Sequence, residues 1–514
     1  MSEKMVDRRK FIKTMALAGV SLAGAGALAG CSNGAAAGTA DPKAAGPEWK
    51  EETDIIVIGS GFAGMAAALE ALEAGSKVIM IEKMPVIGGN STINGGDVAA
   101  CGSKMQVEGG FKDSPELMAK DMMKAGLNYN HLDRVQLLAE KSNEALEWSM
   151  NYLGVKYTKV NFHGGHSVSR THMTENATGA DIIKAAAAKL KEKGVTPATN
   201  TKLVRLIEND EKRIIGVEVL EGYKFGKEDS GTPKLIKAKK AVIMASGGFA
   251  QDIKMRQIHE PRLTDKFTST NHLGATGEAL REVLKHGAMD VHMDWIQLGP
   301  WTSPDEPGFG YTAQFCERLV GMSPMINVLT GKRFIMETGN RKVRADAIIE
   351  LGEPCIIFGD EYAVKRQVVP KILEGGMGNG AFKKFDTLEE IAAAYKIPVE
   401  PFLAEVKHWN SMVLNGKDED FGTMLLEGAK PTEQGPFYVA RLWPKVHHCM
   451  GGLYTNLKGQ VINQDFETIK GLYAAGEITG GTHGAVRLGG VACTDCLVYG
   501  RIAGQEAAKE AAWS

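Results

Sequence analysis

Gly59-Ser60-Gly61-Phe62-Ala63-Gly64 is the stretch that decides the fold, because it lies between an apolar run and an Ala- and Leu-rich segment. The run before it, 54–58, is short and continuously apolar at its end, which is typical of a buried parallel strand. The segment after it, 65–74, favours a helix, and residues 77–81 favour a second strand that ends at Glu82. The pattern is therefore strand, glycine turn, helix and strand.

Each glycine of this loop has a separate task. Gly59 permits the tight turn, Gly61 lets a pyrophosphate approach the backbone, and Gly64 allows the helix to pack closely on the strand. Amide groups at the start of the helix would face the phosphates. Glu82 follows Gly64 by 18 residues and is placed to accept hydrogen bonds from ribose hydroxyls. The unit is predicted to bind a dinucleotide.

Three further glycine-rich elements favour FAD over a nicotinamide. They lie at 88–96, 241–249 and 471–477, and the last two are apolar strands that run into glycine turns. Elements from both ends of the chain suit an extended FAD molecule. The predicted cofactor-binding residues are Gly59, Gly61, Phe62, Ala63, Gly64, Glu82, Lys83, Gly89, Asn90, Ser91, Gly95, Gly96, Gly247, Gly476, Glu477 and Gly490.

Composition bounds the class of protein. The 514 residues correspond to three or four domain equivalents or to two larger domains, and 44% hydrophobic residues are ordinary for a globular protein. The 60 Lys and Arg residues nearly balance the 62 Asp and Glu residues, so the formal net charge is -2. This balance gives no electrostatic reason to expect nucleic acid as the principal ligand.

The N-terminus is interpreted as a targeting segment. Residues 1–31 contain Arg8-Arg9 before a mildly apolar stretch that ends Leu-Ala-Gly-Cys31, and they resemble a twin-arginine lipoprotein signal. Residues 32–50 are typical of a flexible tether. A short transmembrane anchor is the alternative, although the apolar run is short for one. We therefore expect an exported protein, lipid-anchored through Cys31 at the outer face of the cytoplasmic membrane, and such export carries folded, cofactor-loaded proteins.

The other six cysteines are scattered and do not resemble a disulfide framework. Cys493 and Cys496 have CxxC spacing without a second pair, which favours small buried residues beside a cofactor over a zinc or dithiol site. No metal site is expected. Since no CxxCH motif occurs, the chain carries no c-type haem of its own.

The C-terminal motifs carry a specific resemblance. Residues 447–452 (His-His-Cys-Met-Gly-Gly), 471–481 and 483–490 (His-Gly-Ala-Val-Arg-Leu-Gly-Gly) resemble the flavoprotein of the fumarate reductase and succinate dehydrogenase superfamily. They are most similar to its exported, soluble branch, which includes flavocytochrome c fumarate reductases and urocanate reductase. The covalent-flavin histidine of the superfamily belongs in the second glycine stretch, where this chain has Asn90 to Asn94, so noncovalent FAD is implied.

The resemblance implies an α/β fold in which a Rossmann-like FAD-binding domain holds an inserted α+β substrate-capping domain. The FAD-binding domain would comprise residues 52–293 and 446–514, and the cap residues 294–445. Within the cap, helical patterns are expected near 387–395 and around 400–415.

The resemblance also implies the substrate-binding groups. Reduction of a carbon–carbon double bond conjugated to a carboxylate needs a hydride at one carbon, a proton at the other, and cations that polarise the acid. Arg487 matches the arginine that holds the carboxylate, and His448 matches its histidine partner.

The implied proton donor is Arg341, which follows the turn at Gly331 at the matching distance. Because arginine is a weak acid, it would need burial and reprotonation by a relay. Glu317 matches the acidic member of that relay. Its arginine would fall at Val320, so the relay is broken here or rerouted, with Arg318 as one candidate.

One departure bears on the substrate. Gly299 replaces the histidine that holds a second carboxylate in fumarate reductases, and Cys316 replaces a threonine of the same pocket. These losses are expected to leave space, near a cluster of aromatic residues. An aryl acrylate or another bulky enoate with one carboxylate is therefore expected rather than fumarate. The aromatic residues of this cluster are Trp295, Trp301, Tyr311 and Phe315.

The expected role is a terminal reductase of anaerobic respiration that receives electrons from a cytochrome or a flavin-carrying partner in the cell envelope. Two alternatives remain open. An enzyme acting on enones, such as a ketosteroid oxidoreductase, would share the fold but rely on tyrosines. A non-enzymatic flavoprotein that only relays electrons would need no cluster of arginines.

Overall fold

The computed structural model describes residues 47–513. The expected signal, residues 1–31, and most of the expected tether, residues 32–50, lie outside the described residues and stay predictions. Among residues 47–513, no helix combines the length and the apolar character needed to cross a bilayer.

A seven-stranded sheet forms the centre of the FAD-binding region. Its main path runs β17-β18-β8-β1-β2, and the hairpin β6–β7 joins it through β7 and β8. Strand β1 pairs in parallel with β2 and β8, and β18 pairs in parallel with β8, so the strands that precede the glycine turns end at one edge. The strands are β1 (Glu51–Ile58), β2 (Val78–Ile81), β6 (Thr201–Glu208), β7 (Ile214–Glu221), β8 (Thr232–Met244), β17 (Gln460–Ile462) and β18 (Thr468–Ala474).

Helices cover this sheet. The glycine loop leads into a helix at Phe62–Glu73, almost all of which is buried against the C-terminal helix. A Cβ atom on Gly500 or Gly504 would overlap the backbone of that first helix, so glycine permits their close approach. The helices of the FAD-binding region are α1 (Phe62–Glu73), α2 (Gly89–Ile93), α3 (Lys104–Glu108), α4 (Pro115–Ala125), α5 (Leu132–Asn151), α6 (Ala180–Glu192), α7 (Ile253–His259), α8 (Glu278–Leu284) and α15 (Val491–Lys509).

The segment that we assign to the cap contains a four-stranded antiparallel sheet of order β11-β12-β14-β13. Two apolar clusters, one on each side, bury this sheet against helices. The strands are β11 (Met325–Ile326), β12 (Cys355–Asp360), β13 (Phe382–Phe385) and β14 (Phe437–Leu442). The helices are α9 (Thr312–Leu319), α10 (Arg341–Leu351), α11 (Glu361–Gln367), α12 (Pro370–Gly378), α13 (Leu388–Tyr395) and α14 (Val399–Asn415).

Three small sheets complete the fold. The chain passes into the cap segment through β10 (Ile296–Gly299) and returns through β15 (Lys445–Cys449), and these two strands pair with each other. The other two sheets lie in the FAD-binding region and have the orders β3-β5-β4 and β9-β16. Their strands are β3 (Asp97–Ala99), β4 (Tyr157–Asn161), β5 (Thr171–Thr174), β9 (Asp290–Val291) and β16 (Gly452–Leu453).

Candidate active site

The loop before α1 forms the cradle predicted from its glycines. Gly59 has a φ of +103°, in the left-handed region that favours glycine, and a Cβ atom there would overlap the Ala245 carbonyl. A Cβ atom on Gly64 would overlap the Gly59 carbonyl, so helix and turn touch backbone to backbone. Gly61 is the N-cap of α1, and the next amide, of Phe62, points at Ser91 Oγ, 2.9 Å away. The amides at the start of α1 therefore face the second glycine stretch.

A cavity of about 130 Å³ follows this loop along the edge of the sheet. Glu82 lies on its wall, where its Oε2 accepts a hydrogen bond from Ser60 Oγ at 2.6 Å. Lys83 lines the same cavity and pairs with Glu278 at 2.8 Å. The predicted cofactor-binding residues on this wall are Gly59, Gly61, Phe62, Ala63, Glu82, Lys83, Gly89, Asn90, Ser91, Gly247, Gly476 and Glu477.

A second, larger cavity of about 410 Å³ shares Phe62, Asn90, Ser91 and Glu477 with the first. It also contains the predicted residues Gly95 and Gly490, and all four predicted catalytic residues: Glu317, Arg341, His448 and Arg487. Two predicted glycines lie on neither wall. Gly64 packs on the glycine turn, and Gly96 packs against Thr174 and Thr178.

The two arginines Arg341 and Arg487 are joined by one amide side chain. Gln297 Oε1 accepts a hydrogen bond from Arg341 Nη1 at 3.3 Å, and Gln297 Nε2 donates to the Arg487 carbonyl at 2.9 Å. Gln297 is only 3% exposed, so this bridge is shielded from water. Sequence reasoning gives Gln297 no role, although it selects Gly299, two residues further along β10.

The pKa values of Arg341 and Arg487 are both lower than that of an exposed arginine. Burial, and then the neighbouring Arg487 cation, lower the pKa of Arg341 to about 9. Burial also lowers the pKa of Arg487. Arg487 Nε is buried without a hydrogen-bond partner among the described residues, and Arg487 Nη1 donates to the Leu488 carbonyl at 3.0 Å.

Glu317 pairs with Arg344, and the rerouting through Arg318 is wrong. Arg344 Nη2 donates to Glu317 Oε1 at 2.6 Å, whereas Arg318 contacts the sulfur of Met173. Burial by itself would raise the pKa of Glu317, but the charges of Arg344 and Arg341 outweigh it and lower that pKa. Glu317 is therefore an ionised carboxylate between two arginines.

The adjacent histidines His447 and His448 of β15 have different neighbours. Gln297 pairs with His448 and Leu298 pairs with Val446, so His447 is the extra residue of a β-bulge. The His447 ring packs edge-on against Trp301, with ring centroids 4.8 Å apart. His447 lines the cavity as well, and sequence reasoning did not select it.

His448 lies on the other side, with its Nδ1 3.4 Å from Glu477 Oε1 and its ring against His483. Its Nε2 is buried without a partner among the described residues. Burial first, and then Arg487, lower the pKa of both His447 and His448 well below the ordinary value, so both rings are neutral. Burial raises the pKa of Glu477 to about 7.

The space expected beside Gly299 is filled. A Cβ atom on Gly299 would lie 2.9 Å from the indole ring of Trp301, which occupies the room that the missing side chain leaves. Cys316 is fully buried in the cap core and does not line the cavity. Of the four aromatic residues expected near the substrate, only Trp301 reaches the cavity wall; Phe315, for example, lies in the same core as Cys316.

Cys493 and Cys496 are free thiols of intermediate exposure on the wall of the larger cavity, near the start of α15, and burial raises the pKa of both. Among residues 47–513, no group of three or more His, Cys, Asp or Glu side chains is arranged to hold a metal ion.

Comparisons with known proteins identify the family of this chain. The model of the FAD binding domain family matches residues 54–493. The chain is 38% identical to the acrylate reductase flavoprotein subunit of Shewanella woodyi over 98% of its length and 99% of that protein. It is 34% identical to the urocanate reductase of Eggerthella lenta, over 89% of this chain and 75% of the relative.

Among solved structures, the open conformation of a flavocytochrome c3 fumarate reductase superposes with a TM-score of 0.75 at 33% identity. The match covers 90% of this chain and 79% of that one. The cofactor is FAD, and the enzyme is an oxidoreductase acting on CH–CH bonds. The chain belongs to the FAD-binding flavoprotein superfamily of fumarate reductases and succinate dehydrogenases, on the branch that includes acrylate and urocanate reductases.

Proposed function

We propose that this enzyme reduces the carbon–carbon double bond of an unsaturated acid with a single carboxylate. The observation that carries the proposal is the pair of buried guanidinium groups, Arg341 and Arg487, in one cavity with the flavin-binding residues. A carboxylate held against buried cations is strongly polarised, which activates the conjugated double bond. The 38% identity to an acrylate reductase subunit over nearly the whole chain supports a substrate of this class.

Arg487 and His447 would hold the carboxylate. The cation of Arg487 lines the cavity, and the neutral ring of His447, which lines it as well, can donate one hydrogen bond. We assign His448 to the cofactor side, because its Nδ1 lies 3.4 Å from Oε1 of Glu477, a residue that lines both cavities. Gln297 fixes the relative position of the two arginines through its two hydrogen bonds.

Arg341 would be the proton donor. Its lowered pKa makes it a far stronger acid than an exposed arginine, so transfer to the α-carbon of the acid becomes feasible. Glu317, whose side chain is 24% exposed, can take up a proton from solvent and pass it to the neutral guanidine of Arg341, while its ion pair with Arg344 holds the carboxylate in place. Arg318, which forms no ion pair with Glu317, has no part in this path.

The residues present fit FAD, since the loop at Gly59 is closed to any side chain and the start of α1 lines the cavity, where a helix N-terminus suits a pyrophosphate. When bound, reduced FAD supplies the hydride that adds to the β-carbon. Together with the proton from Arg341 at the α-carbon, this addition yields the saturated acid. No covalent attachment is expected, because Asn90 and Ser91 occupy the second glycine stretch.

Fumarate is disfavoured because the indole of Trp301 lies beside Arg341, at the place that a second carboxylate would need. Trp301 lies there with Gly299 behind it, and neither offers a cation to a second carboxylate. An aryl acrylate keeps the single carboxylate but needs room for its ring, and Trp301 fills the place where that room was expected. Acrylate and aryl acrylates are therefore the pair of substrates that should be compared directly.

The test is reoxidation of dithionite-reduced holoenzyme in oxygen-free buffer, followed by flavin absorbance. We expect acrylate or an aryl acrylate such as cinnamate to reoxidise the flavin at least ten times faster than fumarate or cyclohexenone. Equal rates with fumarate would overturn the monocarboxylate preference. Faster reoxidation by cyclohexenone than by any acid would favour an enone-acting enzyme, and no reoxidation by any of them would favour an electron relay.

We further propose that the enzyme receives electrons from a separate cytochrome or flavin-carrying protein. The chain contains no CxxCH motif, and the relative from Shewanella woodyi is itself described as a subunit. Export and lipid anchoring at Cys31 remain proposals that rest on the sequence of residues 1–31.

A further inference from the structure

Trp301 and Gly299 form one packing unit at the edge of the substrate cavity. β10 ends at Gly299, and the chain then turns so that the indole of Trp301 covers the α-carbon of that glycine. A Cβ atom on Gly299 would lie 2.9 Å from two carbons of the indole, which is tighter than normal contact. Only glycine therefore lets the indole lie in this place.

The same indole contacts two polar residues of the cavity. The guanidinium carbon of Arg341 lies 5.4 Å from the centroid of the Trp301 ring, within range of a cation–π interaction. The His447 ring meets the indole edge-on, with centroids 4.8 Å apart. Phe309 packs against the ring at 5.3 Å. One side chain thus supports the proton donor and a carboxylate-binding histidine.

The indole offers no hydrogen bond to a ligand. Trp301 is 2% exposed, and its Nε1 is buried without a partner, so the N–H group does not face the open cavity. A carboxylate placed against this ring would lose water on that side and gain no donor from the indole, which is unfavourable. It would also face the electron-rich surface of the ring.

We propose that Trp301 is the specificity-determining residue of this enzyme: its indole closes the cavity beside Arg341 against a second carboxylate or a large β-substituent and positions Arg341 and His447. The proposal rests on the proposed function, and it names small monocarboxylic 2-enoates as the substrate class. In this role Trp301 limits the size and charge of the substrate's far end, while Arg487 holds the near end.

The first experiment compares three variants of the full holoenzyme with the wild type. In Trp301→Ala, the ratio of kcat/KM for cinnamate to that for acrylate should rise at least tenfold, because the indole volume is removed. In Trp301→His, the ratio of kcat/KM for fumarate to that for acrylate should rise at least tenfold, because the imidazole N–H offers a hydrogen-bond donor where the indole offers an apolar edge. Trp301→Phe keeps an apolar ring and is the matched control, in which the fumarate ratio should not change.

The second experiment tests the packing unit. Gly299→Ala pushes the indole toward Arg341 and His447, so kcat for acrylate should fall at least tenfold with FAD content unchanged. Adding Trp301→Phe to that variant should restore kcat to the level of Trp301→Phe alone. Binding of propionate, followed by the perturbation of the oxidised flavin spectrum, gives a readout that needs no turnover.

The outcomes separate the two proposals. A wild type that reduces acrylate, with both ratios unchanged in Trp301→Ala and Trp301→His, would overturn the role of Trp301 and leave the proposed function intact. A wild type that reduces no unsaturated acid would overturn the proposed function itself. If Trp301→Ala retains no FAD, the Trp301→His ratio and the rescue of Gly299→Ala decide the proposal.

Discussion

Arg344 Nη2 donates a hydrogen bond to Glu317 Oε1 across 2.6 Å, and Arg344 lies three residues after Arg341 on helix α10. Residues three apart share one face of a helix, so the ion pair lies beside the proposed proton donor. Glu317 comes from the neighbouring helix α9. The packing of two cap helices therefore supplies the arginine that the sequence lacks at Val320.

Replacement of Arg344 should slow proton return and shift its pH dependence. Without the cation, burial raises the pKa of Glu317, so this carboxylate becomes protonated at a higher pH than in the wild type. In Arg344→Met, the rate of flavin reoxidation should fall at least tenfold, and its decline on acidification should begin at a higher pH. Arg344→Lys keeps the positive charge, so the decline of its reoxidation rate on acidification should begin at the wild-type pH. Identical pH profiles for the three proteins, measured from pH 5 to 9, would exclude Arg344 from the path.

Arg341→Lys should abolish reduction of the acid while FAD stays bound. In the wild type, Arg341 donates only when protonated, so the rate should fall as the pH rises through about 9. Anaerobic reoxidation by acrylate measures both effects, and the flavin-to-protein absorbance ratio checks the cofactor. A variant with more than a tenth of the wild-type rate would show that another group donates the proton.

Gly59→Ala should lose FAD. The substitution forces an alanine into a φ of +103° and drives its Cβ into the Ala245 carbonyl, so the loop must move. Gly75→Ala is the matched control, since its φ is also positive, at +81°, but nothing lies within 4 Å of an added Cβ. The control should cost only about 1 kcal/mol of backbone strain and retain FAD. Equal FAD content in the two purified variants would contradict the proposed role of the turn.

The contribution of Asp495 to the free energy of unfolding should fall as the pH rises. Burial in α15 raises the pKa of Asp495 to about 6, whereas the ordinary value is 3.8. The folded state therefore holds this proton more tightly, and the resulting stabilisation is complete below pH 3.8 and is lost as the pH rises through about 6. The shift corresponds to about 3 kcal/mol in the free energy of unfolding.

Asp495→Asn should remove this part of the pH dependence. Urea unfolding of the holoenzyme between pH 4 and 7 should give a flatter curve for the variant than for the wild type. The exposed Asp465→Asn is the control and should leave the curve unchanged. A variant curve that parallels the wild type would show that Asp495 does not bind its proton more tightly on folding.

The elements nearest the glycine loop could be predicted from the sequence because their signals are local. The predicted strand, turn, helix and strand correspond to β1, the loop at Gly59, α1 and β2. The cap helices expected near 387–395 and 400–415 correspond to α13 and α14. In each case the residues that carry the pattern also form the element, so no distant contact was needed.

The predictions that are wrong or incomplete depend on contacts that a single sequence does not show. These contacts join segments that are distant in the chain, or they form where the chain turns sharply. Arg318 adjoins Glu317 in the chain and is therefore the candidate that the sequence offers, whereas the actual partner, Arg344, comes from another helix. Gly299 was interpreted as empty space because a glycine has no side chain, and only the folded chain shows that Trp301 fills it. His447 was passed over because a β-bulge, which re-aims its side chain, leaves no mark in a single sequence.

The ribbon of β10 and β15 is the place where the chain both enters and leaves the cap segment. Gln297, His447 and His448 lie on this ribbon, whereas Arg341 and Glu317 are carried by cap helices. A rotation of the cap segment about the ribbon would leave His447 near the axis and carry Arg341 along with the cap helices. The acid could then bind to Arg487 and His447 before Arg341 comes within reach. Movement of the cap segment would in that case determine when the proton is transferred.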